Sequence, residues 1–309
     1  MELIPLQLIN ERVVYDPVSF IAECESEYDK RIKGAGDLIA SDIHNRPILL
    51  LSGPSGSGKT TTAIRISEYL NKIGINSHAI SIDDYFTDVD ENSPRNEKGE
   101  FDFETPECVD SELLKEHIDR IYHGEEVLVP RFDFKLQKRA PEGVPTRLHL
   151  DEVVIFEGIH ALNEAVTGAT ANIAHMLYTR VTSQVVNNNG AIFFKKSDVR
   201  LIRRTVRDIQ FRGTGASETF AMWENVCAGE HKHIVPYSDN ADIEIDSFLP
   251  YEIGALKDMT LQAIRSIDKD NLGYCYAKEL LEKLPFFASV DHLLVPKSSI
   301  LREFIGDKE

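Results

Sequence analysis

The sequence predicts an α/β protein built on a mainly parallel sheet flanked by helices. Three observations carry this reading. Short apolar runs lie at 47–52 and 153–156, and a further strand reads at 77–82. Amphipathic stretches of helical spacing separate such runs, and a glycine-rich turn joins the first run to the first of these helices. Alternation of this kind puts helices on both faces of a sheet, whose strands then read as near-continuous apolar segments.

Residues 1–45 precede the first core strand. Within them, Val18 to Ile43 reads as charged and helical, with Gly34-Ala-Gly36 as the place where it would break. Pro47-Ile-Leu-Leu-Leu-Ser52 suits a buried parallel strand. Thr61 to Lys72 sets Ala63, Ile64, Ile66, Tyr69 and Leu70 at helical spacing, which predicts a helix over 60–72. A strand is expected at 77–82, followed by a polar excursion from Asp88 to Phe101 and a helix near 110–122. Next come a short strand, Val127-Leu-Val129, and the apolar run Val153-Val-Ile-Phe156. Met176 to Thr179 is another strand, helices are expected near 198–210 and 216–228, and Asp242 to Ile245 closes the series. Beyond Tyr251 the pattern is helical near 251–267 and 273–284, then mixed from Val290 to Glu309. The expected organisation is an N-terminal helical extension (1–45), a core domain (46–250) and a C-terminal helical extension packing on it (251–309). The connection 84–109 is long for a compact domain, and long ordered loops often carry function.

Composition narrows the function classes. The chain has 309 residues, 42% of them hydrophobic, enough for a real core. Its 34 basic and 51 acidic residues leave a formal charge of −17. That excess argues against nucleic-acid binding, which relies on many basic contacts to phosphate. Cys24, Cys108, Cys227 and Cys275 lie far apart and form neither a zinc pattern nor a secreted disulfide framework. No uncharged run is long enough to span a membrane, and the N-terminus lacks a signal-peptide pattern. A cytoplasmic setting is the expectation, with homo-oligomerisation left open.

The octet Gly53-Pro-Ser-Gly-Ser-Gly-Lys-Thr60 fits the phosphate-binding pattern G-x-x-x-x-G-K-[ST] at every fixed position. In such a loop the backbone of Gly53, Ser55, Gly56, Ser57 and Gly58 wraps closely enough to point N–H groups at phosphate oxygens. Lys59 reaches the β- and γ-phosphates, and the Thr60 hydroxyl faces Mg²⁺. Thr61 continues the helix N-terminus that favours an anion. Ser81-Ile-Asp83-Asp84-Tyr-Phe86 lies where the next strand ends, so Asp83 is placed to accept a proton from an attacking hydroxyl. Val153-Val-Ile-Phe-Glu157-Gly158 describes a buried strand that delivers a carboxylate to its tip, where Mg²⁺ is held in such proteins. At about 100° per residue, Arg200, Arg203, Arg204 and Arg207 fall on one helix face, and the basic run continues to Arg212. Val199, Ile202, Val206 and Ile209 lie opposite, while Asp198 and Asp208 temper the charge. Arginines suit recognition of phosphate and of a transferring phosphoryl group. Aromatics interleaved with carboxylates at 101–106 and 129–134 suit a planar, hydroxylated ligand.

Taken in order, GPSGSGKT, SIDDYF, FDFETPECVD, VPRFDFKLQKR, VVIFEGIHAL, DVRLIRRTVRDIQFRG and ADIEI resemble the uridine kinase/phosphoribulokinase family of P-loop kinases. The resemblance runs from about Ile48 to Ile245. It is nearest to uridine kinase homologues that often carry a region like that of threonyl-tRNA synthetase, which this chain is too short to contain in full. It implies a P-loop NTPase fold and transfer of the ATP γ-phosphoryl group, with Mg²⁺, to a hydroxyl of a nucleoside. Asp83 matches the family's base and Glu157 its metal-linked carboxylate. Arg204, Arg207 and Arg212 match arginines that close over the phosphates. Glu104 falls where the family has an acid near the ribose hydroxyls. Phe134 matches an aromatic beside the base and Arg139 a basic residue near the site, with Phe86 and Asp133 in the same motifs. Two positions depart from the pattern. Gln137 stands where true uridine kinases have a histidine that reads the pyrimidine, and Thr214 replaces the second arginine of an Arg-Gly-Arg lid. A kinase for another polyol or sugar, and an ATP-sensing regulatory protein without catalysis, are the competing readings. Intact Lys59, Asp83 and Glu157 argue against the second.

Overall fold

The computed structural model describes residues 2–95, 99 and 101–306. Part of the polar excursion expected at 88–101, and the end of the mixed tail, lie outside these residues. In chain order the regular elements open with β1 (Leu3–Pro5), α1 (Leu6–Tyr15), α2 (Pro17–Ser41), β2 (Ile48–Ser52), α3 (Lys59–Lys72) and β3 (Ser77–Ser81). There follow α4 (Ser111–Tyr122), β4 (Val127–Val129), β5 (Phe132–Asp133), β6 (Lys138–Arg139), β7 (Val144–Thr146), β8 (Val153–Glu157) and α5 (Glu164–Thr167). The remainder is β9 (Ala174–Arg180), β10 (Gln184–Val186), β11 (Ile192–Phe194), α6 (Lys196–Arg207), α7 (Ala216–His233), β12 (Ile243–Asp246), α8 (Glu252–Ile264), α9 (Tyr274–Lys283) and α10 (Arg302–Ile305).

Five strands form the central sheet in the order β12-β9-β2-β8-β3, all neighbours parallel. Side chains alternate across a strand, and here both sides are apolar. Leu49, Leu51, Val153, Ile155 and Leu177 enter one core, while Ile48, Leu50, Val154, Phe156 and Met176 enter the other. The first core is closed by α2, α3, α6 and α8 through Tyr28, Ile66, Ile202 and Leu256. The second is closed by α4 through Leu114, Ile118 and Ile121. Double burial explains why the inner strands β2 and β8 read as unbroken apolar runs, unlike the half-exposed edge strands β3 and β12. Segments at both chain ends therefore pack into the same core as the helix that follows the glycine-rich turn.

Three sequence expectations are corrected. Val127–Val129 does not join the central sheet; it pairs antiparallel with Val144–Thr146 in a separate two-stranded ribbon. Helix α2 runs unbroken through Gly34 and Gly36, started by Pro17 in its first turn and by Asp16, whose Oδ1 accepts the Ser19 N–H at 3.1 Å. Ile209 does not continue the apolar side of α6. The helix widens to a π-turn over Asp208–Arg212, which turns Ile209 outward to 41% exposure. The short elements β1, α1, β5, β6, β7, β10 and β11 were not anticipated; most have two or three residues, too few to show a period.

Candidate active site

The carboxyl ends of β2, β3 and β8 converge, the place where open parallel sheets bind ligands. Strand β2 ends at Ser52 and the chain enters the glycine-rich turn 53–58. Gly56 and Gly58 adopt φ of +72° and +84°, in the left-handed region open to glycine. A Cβ on Gly58 would also stand 2.2 Å from Ile300 Cδ1. Residues 53–58 are all buried, while Lys59 and Thr61 are half-buried and Thr60 is exposed. Lys59 Nζ donates to Pro54 O at 3.3 Å, and burial lowers its pKa against the pull of Glu157 and Asp83.

Glu157, at the tip of β8, is the hub. Its Oε1 accepts the Thr60 hydroxyl at 3.3 Å and the Ser81 hydroxyl at 3.2 Å. Ser81 comes from the parallel neighbour β3, in register opposite Glu157. Burial first, then the adjacent Asp83 carboxylate, push Glu157 up to about 7. Burial likewise raises Asp83, with Lys59 opposing. Two carboxylates and a lysine thus share one half-buried cluster whose charges act on one another. The oxygen donors Thr60 and Glu157 fit Mg²⁺, which is commonly held by one or two protein oxygens plus substrate phosphates. A divalent ion would also relieve the like charges that raise Glu157.

The arginine helix lies against the loop. Arg200 Nε donates to Ser55 O at 2.8 Å, and its Nη2 pairs with Glu230, whose Oε1 also accepts the Ser55 N–H at 3.0 Å. Arg204 Nη1 donates to Ser55 Oγ at 2.8 Å. Arg203 turns inward to Glu252 and is wholly buried. Asp208 gathers the rest: Arg204 at 3.3 Å, Arg207 at 3.3 Å and Arg212 at 3.8 Å. Burial and the neighbouring Arg212 lower the pKa of Arg207. Thr214 N–H donates to Asp208 O at 3.1 Å, closing this turn. So the basic face is neither a solvated surface nor wholly turned to phosphate. Arg200 and Arg203 brace the loop, Arg204 binds it, and Arg207 and Arg212 cluster on Asp208.

On the acceptor side, Phe86 is 3% exposed and sits in an aromatic cluster. It stacks on Phe103 at 6.0 Å and meets Phe134 edge-on at 5.8 Å. Phe134 itself is 54% exposed and also meets Phe132 edge-on at 5.0 Å. Arg139 holds the turn after β3: Nε and Nη2 donate to Phe86 O and Tyr85 O, both at 2.9 Å, and Nη2 lies 3.1 Å from Asp110. Asp133 Oδ1 accepts the N–H groups of Lys135 and Leu136, capping an exposed turn. Gln137 has φ +53°, and its carbonyl accepts the Val89 N–H at 3.0 Å. Glu104 is enclosed, its pKa raised by burial with Arg204 opposing, and its Oε2 lacks a hydrogen-bond partner among the described residues. Ser81, Glu230 and Asp208 escaped the sequence reading as site residues. Ser81 and Asp208 stood in motifs but were not read as site residues, whereas Glu230 lies 175 positions from Ser55.

A phosphate loop between strand and helix, an acid at the tip of the adjoining strand and an arginine helix over the loop define a P-loop phosphotransferase. The chain belongs to the Phosphoribulokinase / Uridine kinase family, which matches residues 48–252, and is a nucleotide-binding kinase of that family. A uridine kinase of Halobacterium salinarum is 28% identical over 199 residues, covering 63% of this chain and 77% of the relative. A uridine kinase of Clostridium tetani is 30% identical over 205 residues, covering 66% and 88%. Among solved structures, D-glycerate 3-kinase from Cryptococcus neoformans aligns with 67% of this chain and 87% of its own at 14% identity, TM-score 0.42. Among the described residues no helix is long and apolar enough to cross a membrane.

Proposed function

We propose that this chain transfers the γ-phosphoryl group of ATP to a hydroxyl of a nucleoside, with Mg²⁺ bound at Thr60 and Glu157. The observation that carries this reading is the cluster of Lys59, Asp83 and Glu157 gathered beyond the carboxyl ends of β2, β3 and β8, close enough for their charges to act on one another. Bound Mg²⁺ would supply charge neutralisation at the phosphates. The chain's own residues do the rest. Asp83 accepts the proton of the attacking hydroxyl, a role suited to a carboxylate whose proton affinity burial raises. Lys59 and the loop N–H groups hold the donor phosphates. Arg204, Arg207 and Arg212 stabilise charge on the transferring group, and their tie to Asp208 keeps them pre-positioned.

A nucleoside acceptor is supported by the names of the relatives and by two local features. Phe134 presents a ring on which a planar base can stack. Glu104 offers an enclosed acceptor oxygen suited to a sugar hydroxyl. Gln137 favours a base edge different from the one a histidine reads, since groups that pair with a substrate's polar atoms set discrimination. A polyol or sugar kinase is the second reading, favoured by the same unmet Glu104 oxygen. Release of ADP, measured across nucleosides, polyols and sugars with Mg²⁺·ATP, separates the two. Turnover with polyols or sugars and silence with every nucleoside would overturn the first.

A further inference from the structure

One carboxylate that the kinase reading does not use stands on the phosphate loop itself. Glu303, in α10, reaches the first turn of α3. Its Oε2 accepts the Thr61 hydroxyl at 2.8 Å and the Thr61 N–H at 3.3 Å. That N–H has no helical acceptor, because the bond to Gly58 O is made by Thr62 N at 2.9 Å. First-turn N–H groups and the positive end of the helix are what a phosphate loop offers its ligand. Glu303 therefore fills an anion position of the loop with the chain's own charge.

Its surroundings set it apart from Glu230, the other carboxylate on a loop N–H. Glu230 is buried and paired with Arg200. For Glu303 no lysine or arginine lies within ion-pair distance among the described residues. Its backbone is pinned: Ile300, Leu301 and Phe304 are fully buried, and the Phe304 ring lies 5.3 Å under the Arg203 guanidinium. The half-buried side chain can turn away while the backbone stays in place.

We propose that Glu303 is a resident anion of the nucleotide site, a carboxylate that incoming phosphates must displace, and that it thereby sets nucleotide affinity. The inference rests on the nucleotide-site reading above. Phosphate oxygens and this carboxylate seek the same donors, and their like charges oppose shared occupancy. Removing the carboxylate favours phosphate-bearing ligands alone.

Calorimetric binding to the full chain without Mg²⁺ tests this, comparing wild type with Glu303→Gln and Glu303→Ala. ATP and inorganic tripolyphosphate are expected to bind about five- to tenfold more tightly to the variants, the scale of an anion contact at a helix N-terminus, with adenosine unchanged. Unchanged or weaker ATP binding by the variants would overturn the proposal, as would an equal gain for adenosine. Wild-type binding of ATP reports on the nucleotide-site reading separately. Binding by neither chain would remove that reading and this inference together, whereas wild-type binding with no gain removes the inference alone.

Discussion

Arg203 and Glu252 form a two-pronged ion pair with both side chains fully buried. Nε donates to Oε2 at 2.5 Å and Nη2 to Oε1 at 2.8 Å. Arg203 Nη1 also donates to Gly56 O at 3.2 Å, so the pair joins α6, the start of α8 and the phosphate loop. Removing one partner strands a desolvated charge. Arg203→Met is expected to lose about 3–5 kcal/mol of stability, while Arg203→Met with Glu252→Leu recovers most of it. Urea unfolding of the three chains checks this. A single variant as stable as wild type would show that water reaches Glu252.

Gly34 and Gly36 are separated by one residue of α2 but face different surroundings. A Cβ on Gly36 would stand 2.3 Å from Tyr69 Cδ1, where α2 crosses α3, whereas one on Gly34 meets nothing within 4 Å. Gly34→Ala is therefore expected to stabilise by about 0.5–1 kcal/mol through helix propensity. Gly36→Ala should destabilise by about 1–3 kcal/mol through overpacking. Thermal midpoints of the two variants should move in opposite directions; a shared direction would refute the helix-crossing explanation.

The same glycines show where the sequence could and could not be read. The inner strands β2 and β8 and the loop helix were legible because burial on both faces leaves apolar runs and the loop carries a fixed motif. Gly34-Ala-Gly36 looked like a break because propensity says nothing of a neighbouring helix that needs the space. The arginine face was legible as a face, but its use was not. Whether an arginine meets phosphate or a buried acid depends on partners such as Glu230 and Glu252, brought in from 30 and 49 positions away. Ser81 meets Glu157 only through strand register, and Glu303 meets Thr61 only through the folding of the chain's end. None of these pairings leaves a local period or spacing.

The raised pKa of Glu157 has a stability consequence of definite sign. A carboxyl that titrates near 4.5 unfolded and about 7 folded binds its proton more tightly in the native state. Its contribution is fully present below about pH 4.5 and is lost as pH rises toward 7 and beyond. Glu157→Gln carries no such loss. Without metal or nucleotide, the variant should match wild type near pH 4 and exceed it by about 1–3 kcal/mol at pH 8. Urea midpoints at the two pH values decide the matter, and a variant less stable than wild type at pH 8 would show that the Thr60 and Ser81 hydrogen bonds outweigh desolvation.

Asp83 offers the sharpest separation of chemistry from binding. It lies at the end of β3, with burial raising its pKa and Lys59 and Arg212 opposing. As the proposed base, its carboxylate acts on the acceptor hydroxyl and not on the donor nucleotide. Asp83→Asn preserves volume and removes the proton acceptor. The expected outcome is a fall in kcat of about 10²–10⁴, the range of general-base contributions, with ATP affinity unchanged or slightly improved by the lost negative charge. Steady-state ADP release paired with direct ATP binding reads both quantities. Near-normal turnover in this variant would falsify the base assignment. A parallel loss of ATP binding would instead assign Asp83 to the donor side, beside Glu157, as part of the metal's oxygen shell.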